Sequence, residues 1–436
     1  MLGGGGREHA IAWKLAREPG IGRILVGPGS AGIALEPLVE LAPEVRPLEP
    51  ETVVEAARRE RADLVVVGPE APLAAGVVDA LAAAGIPAFG PTRAAARLET
   101  SKAFCHEVAA AAGVPMARAR SFRGGELGEA RRWILELADA GAGVVLKADG
   151  LAAGKGVVVT ETPGQALELA PGFLAGRGLE VALVVEERLA GREASVIAIC
   201  DGERALALPP ARDHKRLCDG DLGPNTGGMG AYSPLPDLDA PAVEAILATV
   251  HRPILAEMAR RGTPFRGFLY AGLMLTAAGP ALLECNARLG DPEAQVVLPR
   301  LDVDLAPLLL AAADGRLPEH GAGILPASPQ AAVGIVLAAR GYPGDPRRDS
   351  PIEGLDRAQA HGALLFHAGT IGRPGGGFGT NGGRVLTVVG QGATIGAART
   401  VAERAADEIR WDGLQRRHDI GLGESEPVPA LAGAPA

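Results

Sequence analysis

Lysine is almost missing from this chain. Of 43 basic residues in 436, only five are lysine, at positions 14, 102, 147, 155 and 215, leaving 38 arginines. A genomic preference for arginine accounts for that bias. It makes the surviving lysines informative, because a compact ammonium and a planar guanidinium are not equivalent in phosphate chemistry. Aromatic residues amount to 3%, and the formal net charge is −9. A nucleic-acid surface wants basic patches and stacking rings, so no nucleic-acid partner is expected. Small anions need only a local positive pocket. Cysteine is scarce too. Cys105, Cys200, Cys218 and Cys285 are scattered without a C-x-x-C pair, which argues against a zinc site or a disulfide framework and suits reduced thiols in a cytoplasm. No apolar run approaches the roughly 18 residues that span a bilayer, and no charged segment leads into an apolar one at the start. The expectation is a soluble cytoplasmic protein without a membrane partner, folding alone as a monomer of about three units.

What is present is chemistry at fixed spacing. Residues 283–293 read Leu-Glu-Cys-Asn-Ala-Arg-Leu-Gly-Asp-Pro-Glu after an apolar run. At the end of a buried strand alternate side chains point the same way, so Glu284, Asn286 and Arg288 share one face. A carboxylate and an amide oxygen are hard ligands that suit Mg2+. Arg288 beyond them offers a fork for a carboxylate or phosphate.

The chain opens with four glycines, Gly3 to Gly6, ahead of a helical stretch at 10–17. Glycines before a helix let backbone N–H groups approach an anion. Strand-like runs at 23–26 and 63–68 alternate with helical runs at 51–60 and 73–84, which predicts a parallel α/β unit. A dinucleotide fold is not expected, because the second strand ends Val26-Gly27-Pro28-Gly29 without an acidic residue for a ribose.

Residues 144–159 form two β-branched strands around a glycine-rich turn. Asp149 and Gly156 stand where a Walker A loop needs Gly and Ser or Thr, so a hairpin flap is predicted, with Gly150, Gly154 and Gly156 allowing closure and Lys147 and Lys155 supplying charge. Residues 183–189 read as a strand entering a linker, and 191–196 as the start of another. The stretch 212–234 reads as a long polar loop of the functional kind.

The order of these motifs resembles the ATP-grasp superfamily, and its wording is similar to the phosphoribosylamine–glycine ligases within it. The resemblance rests on GGREHA (5–10), VGPEAPL (67–73), KADGLAAGKGV (147–157), DHKR (213–216) and GPNTGGMGAYSP (223–234). It continues through FLYAGLM (268–274), RLGDPEAQ (288–295), FHAGT (366–370) and TNGGRVL (380–386), covering residues 1 to about 421. It implies a multidomain α/β fold that joins glycine to 5-phosphoribosylamine at the expense of ATP, through glycyl phosphate, in purine synthesis. It further implies that Glu284 and Asn286 hold Mg2+ (or Mn2+), and that Lys102 and Lys147 contact the ATP phosphates. Gly154, Lys155 and Gly156 close as the flap. Glu186, Glu187 and Leu189 line the adenine, Glu193 meets the ribose, and Asn225 joins the nucleotide site. Asp213, Lys215, Arg288 and Asp291 serve glycine and the transferring phosphoryl group, while Gly4, Gly5, Gly6 and Glu70 face phosphoribosylamine. The expected units are an N-terminal α/β domain at 1–99, a core at 100–118 and 188–325, a flap subdomain at 119–187, a C-terminal α/β domain at 326–421 and a mobile tail at 422–436. One departure is that only Met1 and Leu2 precede the glycines, where the family opens on about six apolar residues, so either the start is called late or the first strand is stunted. The alternatives are another ATP-grasp carboxylate–amine ligase or carboxylase, or a nucleotide-binding regulator without chemistry.

Overall fold

The computed structural model describes residues 1–150, 156–175, 181–319 and 323–424. In the N-terminal unit Ile24–Pro28 pairs in parallel with Leu2–Gly3 on one side and Val39–Leu41 on the other. Leu2 also bridges Val67 in parallel, next to the pair Val65–Val66 and Ala88–Phe89. The two-residue first strand therefore lies in the middle of a parallel arrangement, with Leu2, Val26, Val65 and Val67 buried. The Met1 ammonium donates to the Leu25 carbonyl at 2.7 Å, and burial lowers its pKa to about 5. The helical run expected at 73–84 is two helices, Glu70–Ala75 and Val77–Ala83. Gly76 between them adopts φ +86°, a left-handed turn that ends the first helix.

The flap subdomain is an antiparallel sheet ordered Ala119–Arg123, Val181–Arg188, Gly143–Ala148, Val157–Val159. Helices Leu127–Asp139 and Pro163–Leu174 enclose a core of its own around Trp133, Ile134, Leu146 and Leu183. The central sheet is antiparallel in the order Ala205–Ala207, Arg192–Asp201, Arg266–Thr276, Gly279–Asn286.

The stretch 212–234 is not an unstructured loop. It contains the hairpin Arg216–Cys218 and Leu222–Asn225, and its strands Arg212–Asp213 and Gly230–Ser233 join Ala331–Ala338, Arg384–Gly392 and Leu364–His367 in one five-stranded antiparallel sheet. Gly230–Ser233 is wholly buried, but four residues whose partner lies about a hundred positions downstream carry no local periodicity. The central and C-terminal units are thus stitched by a shared sheet. The expected mobile tail begins anchored, because Glu424 pairs with Arg192 Nη2 at 2.6 Å. Residues 425–436 lie outside the described chain.

Candidate active site

The strand Gly279–Asn286 carries Glu284 and Asn286, both half-buried, and Arg288 follows its end. Its register shifts against the neighbouring strand between Gly272 and Leu273. Glu284 lies over Gly272, where an added Cβ would come within 3.2 Å of its Cγ. The shift leaves the Leu283 carbonyl to accept from Lys147 Nζ at 2.8 Å. Lys147 also pairs with Glu186 at 2.7 Å, and Glu186 with His106 at 2.6 Å. Burial would raise the Glu186 carboxyl, but Lys147 and His106 hold it below its ordinary value. Lys102 Nζ donates to the Gly150 carbonyl at 3.0 Å. The three lysines 102, 147 and 215 all act on Glu284, so the structure gathers them around that carboxylate where the flap sheet meets the central sheet.

Over the central sheet Lys215 reaches Glu193 at 3.0 Å and Glu284 at 3.7 Å. Burial would lower its pKa, yet Glu193, Asp213 and Glu284 raise it well above the usual lysine value. Asp213 is pushed up to about 8 by burial, with Glu293, Glu193 and Glu284 adding to the shift against Lys215. Glu284 is held below its ordinary value, since Lys215 and then Lys147 outweigh its burial. Glu293 is buried and accepts from Ser195 Oγ at 3.1 Å, which in turn meets Tyr270 Oη at 2.9 Å. Glu193 and Glu284 thus face the Lys215 ammonium at ion-pair distance, with Asp213 close enough to act on it and Glu293 close enough to act on Asp213, a gathering of hard oxygens of the kind a divalent cation takes. Among the described residues no three His, Cys, Asp or Glu side chains form a metal cage of their own.

The remaining expected residues fall elsewhere. Glu187 is engaged by Arg118, with Nε at 2.7 Å, and Leu189 follows the strand end at Arg188. Asn225 Nδ2 contacts the Val157 carbonyl of the flap at 3.5 Å. Gly156 lies at the flap turn, its carbonyl accepting from Ala148, whereas Gly154 and Lys155 lie outside the described residues. Arg288 pairs with Glu99 at 2.8 Å and Glu70 at 3.3 Å, which brings two expected site residues together at the junction of the N-terminal and central units. Asp291, expected beside glycine, has its carboxylate held by Arg384 at 3.0 Å and Gln295 at 2.8 Å. The glycine turn is closed by Glu8, whose carboxylate accepts from the Gly5 N–H at 2.7 Å and from Arg7 Nε at 2.7 Å. A Cβ at Gly4 would meet the Gly29 carbonyl at 2.5 Å, and one at Gly6 would meet Gln295 Nε2 at 2.6 Å.

Sequence reasoning passed over Glu99, Glu293, Arg7 and Arg384. The last three sit inside recognised strings, RLGDPEAQ, GGREHA and TNGGRVL, and that placement was the available signal. Glu99 had none, since its partner Arg288 is nearly two hundred residues away.

A flap sheet facing a second antiparallel sheet, with lysines gathered where they meet and a carboxylate–amide pair on the last strand, is the architecture of an ATP-grasp enzyme. The comparisons narrow the class. Residues 1–99, 100–294 and 332–423 match the N domain, ATP-grasp (A) domain and C domain of phosphoribosylglycinamide synthetase. The chain belongs to that family. It is 45% identical over 427 residues to the phosphoribosylamine–glycine ligase of Rhodopirellula baltica, covering 96% of each chain. It is 46% identical over 426 residues to that of Rhizobium meliloti, covering 97% of each. The crystal structure of phosphoribosylamine–glycine ligase from Thermotoga maritima superposes with a TM-score of 0.78 at 32% identity, over 96% of this chain and 98% of that one. A biotin carboxylase from Campylobacter jejuni shares the fold alone, with TM-score 0.67 and 15% identity.

Proposed function

We propose that the chain is an ATP-dependent ligase that joins glycine to 5-phosphoribosylamine, giving glycinamide ribonucleotide, ADP and phosphate in purine biosynthesis. The observation that carries the reading is the Lys215 cluster, where an ammonium is packed against Glu193 and Glu284 beside the lysines of the flap sheet. Glycine's carboxylate is a poor acyl donor. Its oxygen attacks the terminal phosphorus of ATP, the bond to the bridging oxygen breaks, and ADP leaves with glycyl phosphate formed. The amine of phosphoribosylamine then attacks the acyl carbon, and phosphate leaves as the amide forms and a proton is released.

Chemistry of this kind rests on positioning and charge. Lys102 and Lys147 hold the ATP phosphates, and the pairing of Lys147 with Glu186 and the Leu283 carbonyl fixes that ammonium in place. Glu186, Glu187 and Leu189 line the adenine, Glu193 meets the ribose, and Asn225 docks the flap. Gly154, Lys155 and Gly156 close over the phosphates. Glu284 and Asn286 would hold Mg2+, with Mn2+ as a substitute, which when bound neutralises phosphate charge. Lys215 orients the glycine carboxylate and the transferring phosphoryl group, and Asp213 beside it holds or gives up a proton near neutral pH. Arg288 and Asp291 act through Glu70, Glu99 and Arg384, setting the loops around the acceptor. The turn Gly4 to Gly6 and Glu70 face phosphoribosylamine. We place the enzyme in the cytoplasm as a monomer. No helix among the described residues is long and apolar enough to cross a membrane.

The test is ADP release by the purified chain with Mg-ATP, glycine and phosphoribosylamine, each omitted in turn. The reading requires both co-substrates for sustained release. Turnover with bicarbonate or another carboxylate in place of glycine would assign a different member of the class, and ATP binding without turnover would leave a regulator.

A further inference from the structure

Arg384 begins the strand Arg384–Gly392 of the C-terminal sheet, yet its guanidinium leaves that domain. Nη1 donates to the carbonyls of Gly227 and Asp291, both at 2.5 Å, and Nη2 to the Asp291 carboxylate at 3.0 Å. One planar fork thus ties together two loops of the central unit, and a fork does this where a point charge cannot. The loops have no slack. A Cβ on Gly227 would lie 3.1 Å from Arg384 Cζ, and one on Gly228, at φ +112°, would lie 2.5 Å from Pro292 Cδ.

From Asp291 the contact runs on. Its other oxygen accepts from Gln295 Nε2 at 2.8 Å. Gln295 is fully buried, and the same Nε2 lies 2.6 Å from where a Cβ of Gly6 would be, against the first turn of the helix Gly6–Leu15. Arg7, next in the chain, donates to the Leu289 carbonyl at 3.1 Å, two residues before Asp291. The glycine turn of the N-terminal domain therefore rests on a segment that Arg384 of the C-terminal domain grips, beside the direct contact in which the His367 N–H donates to His9 Nδ1 at 2.8 Å.

We propose that Arg384 is a positioning residue for the amine substrate, setting the Gly3–Gly6 turn through Asp291 and Gln295. This rests on the proposed assignment of that turn to phosphoribosylamine. The nucleotide contacts of Lys102, Lys147 and Glu186 are made within the central and flap units and do not pass through Arg384.

Arg384→Ala is expected to raise KM for phosphoribosylamine about tenfold or more, as displacement of a binding element does, while KM for ATP and for glycine stays within about twofold. Arg384→Lys, which keeps the charge but not the fork, should fall between. Asp291→Asn combined with Arg384→Ala should be no worse than Arg384→Ala alone, because both act through one contact. Hydrogen exchange at residues 3–10 gives a readout independent of turnover, and should quicken in Arg384→Ala with Mg-ATP affinity unchanged. Should the wild type not use phosphoribosylamine, faster exchange at 3–10 would still uphold the positioning role while the functional reading falls. Unchanged exchange at 3–10, or equal losses of affinity for all three substrates, would overturn the inference.

Discussion

Replacing Glu284 by glutamine removes one negative charge and little else. The carboxylate lies 3.7 Å from Lys215 Nζ, and the two side chains are 33% and 31% exposed. At an effective dielectric near 20 that separation corresponds to about 4 kcal/mol of gross attraction. Solvent at a third-exposed pair screens most of it, and Lys215 retains Glu193 at 3.0 Å. The stability change is therefore expected to be about 1 kcal/mol or less. Catalysis is another matter. If Glu284 is one of only two protein ligands for the cation, losing its charge costs on the order of 3 kcal/mol in the barrier, roughly a hundredfold in kcat. The assay is glycine- and phosphoribosylamine-dependent ADP release at saturating Mg2+, with the denaturation midpoint measured alongside. A midpoint near wild type with turnover within threefold of wild type would refute the assignment.

Three further outcomes follow from the packing and the titrating groups. Gly32→Ala should destabilise by about 1 to 3 kcal/mol, as overpacking does, because its Cβ would fall 2.2 Å from His367 Cβ across the contact between the N- and C-terminal domains; an unchanged denaturation midpoint would contradict that contact. Stability should rise with pH between about 4 and 6.5, because burial pushes His251 down to about 4 and His367 down to about 3, so the unfolded chain binds protons that the native one does not. Asp213, pushed up to about 8, and Glu99, raised by burial, work in the opposite direction, while the Met1 ammonium, lowered to about 5, adds to the two histidines, so urea midpoints that fall between pH 4.5 and 6.5 would reverse the sign argued here. Amide exchange in the flap strands Gly143–Ala148 and Val157–Val159 should slow on adding Mg-ATP, and equal rates with and without nucleotide would speak against closure of this hairpin.

The local part of the candidate site was legible. Glu284 and Asn286 on one strand need only the strand's period, and the flap sheet needs only two β-branched runs and their glycines, whereas Arg288 lies past the strand end and is placed by Glu99 and Glu70. The parallel N-terminal unit followed from alternating runs in the same way. Long-range pairings left no such trace. Nothing near Arg288 announces Glu99 or Glu70 as its partners, and nothing near Asp291 announces Arg384, ninety-three residues on. The short strand Gly230–Ser233 reads as loop until the partner Ala331–Ala338 is in place. Gly76 was visible as a glycine but not as a helix break, since only the left-handed φ and the Arg93 guanidinium, 2.7 Å from the position of a Cβ, decide that. Charge on Asp291 was readable, but whether it was spent on a substrate or on an arginine was not.

The central claim is that the glycine carboxylate is phosphorylated before the amine attacks. Glycine labelled with 18O in its carboxylate tests it directly when the phosphate released during glycinamide ribonucleotide formation is examined by mass spectrometry. The account predicts one 18O atom in each phosphate and one retained in the product amide. Unlabelled phosphate, with product formed at the normal rate, would contradict it.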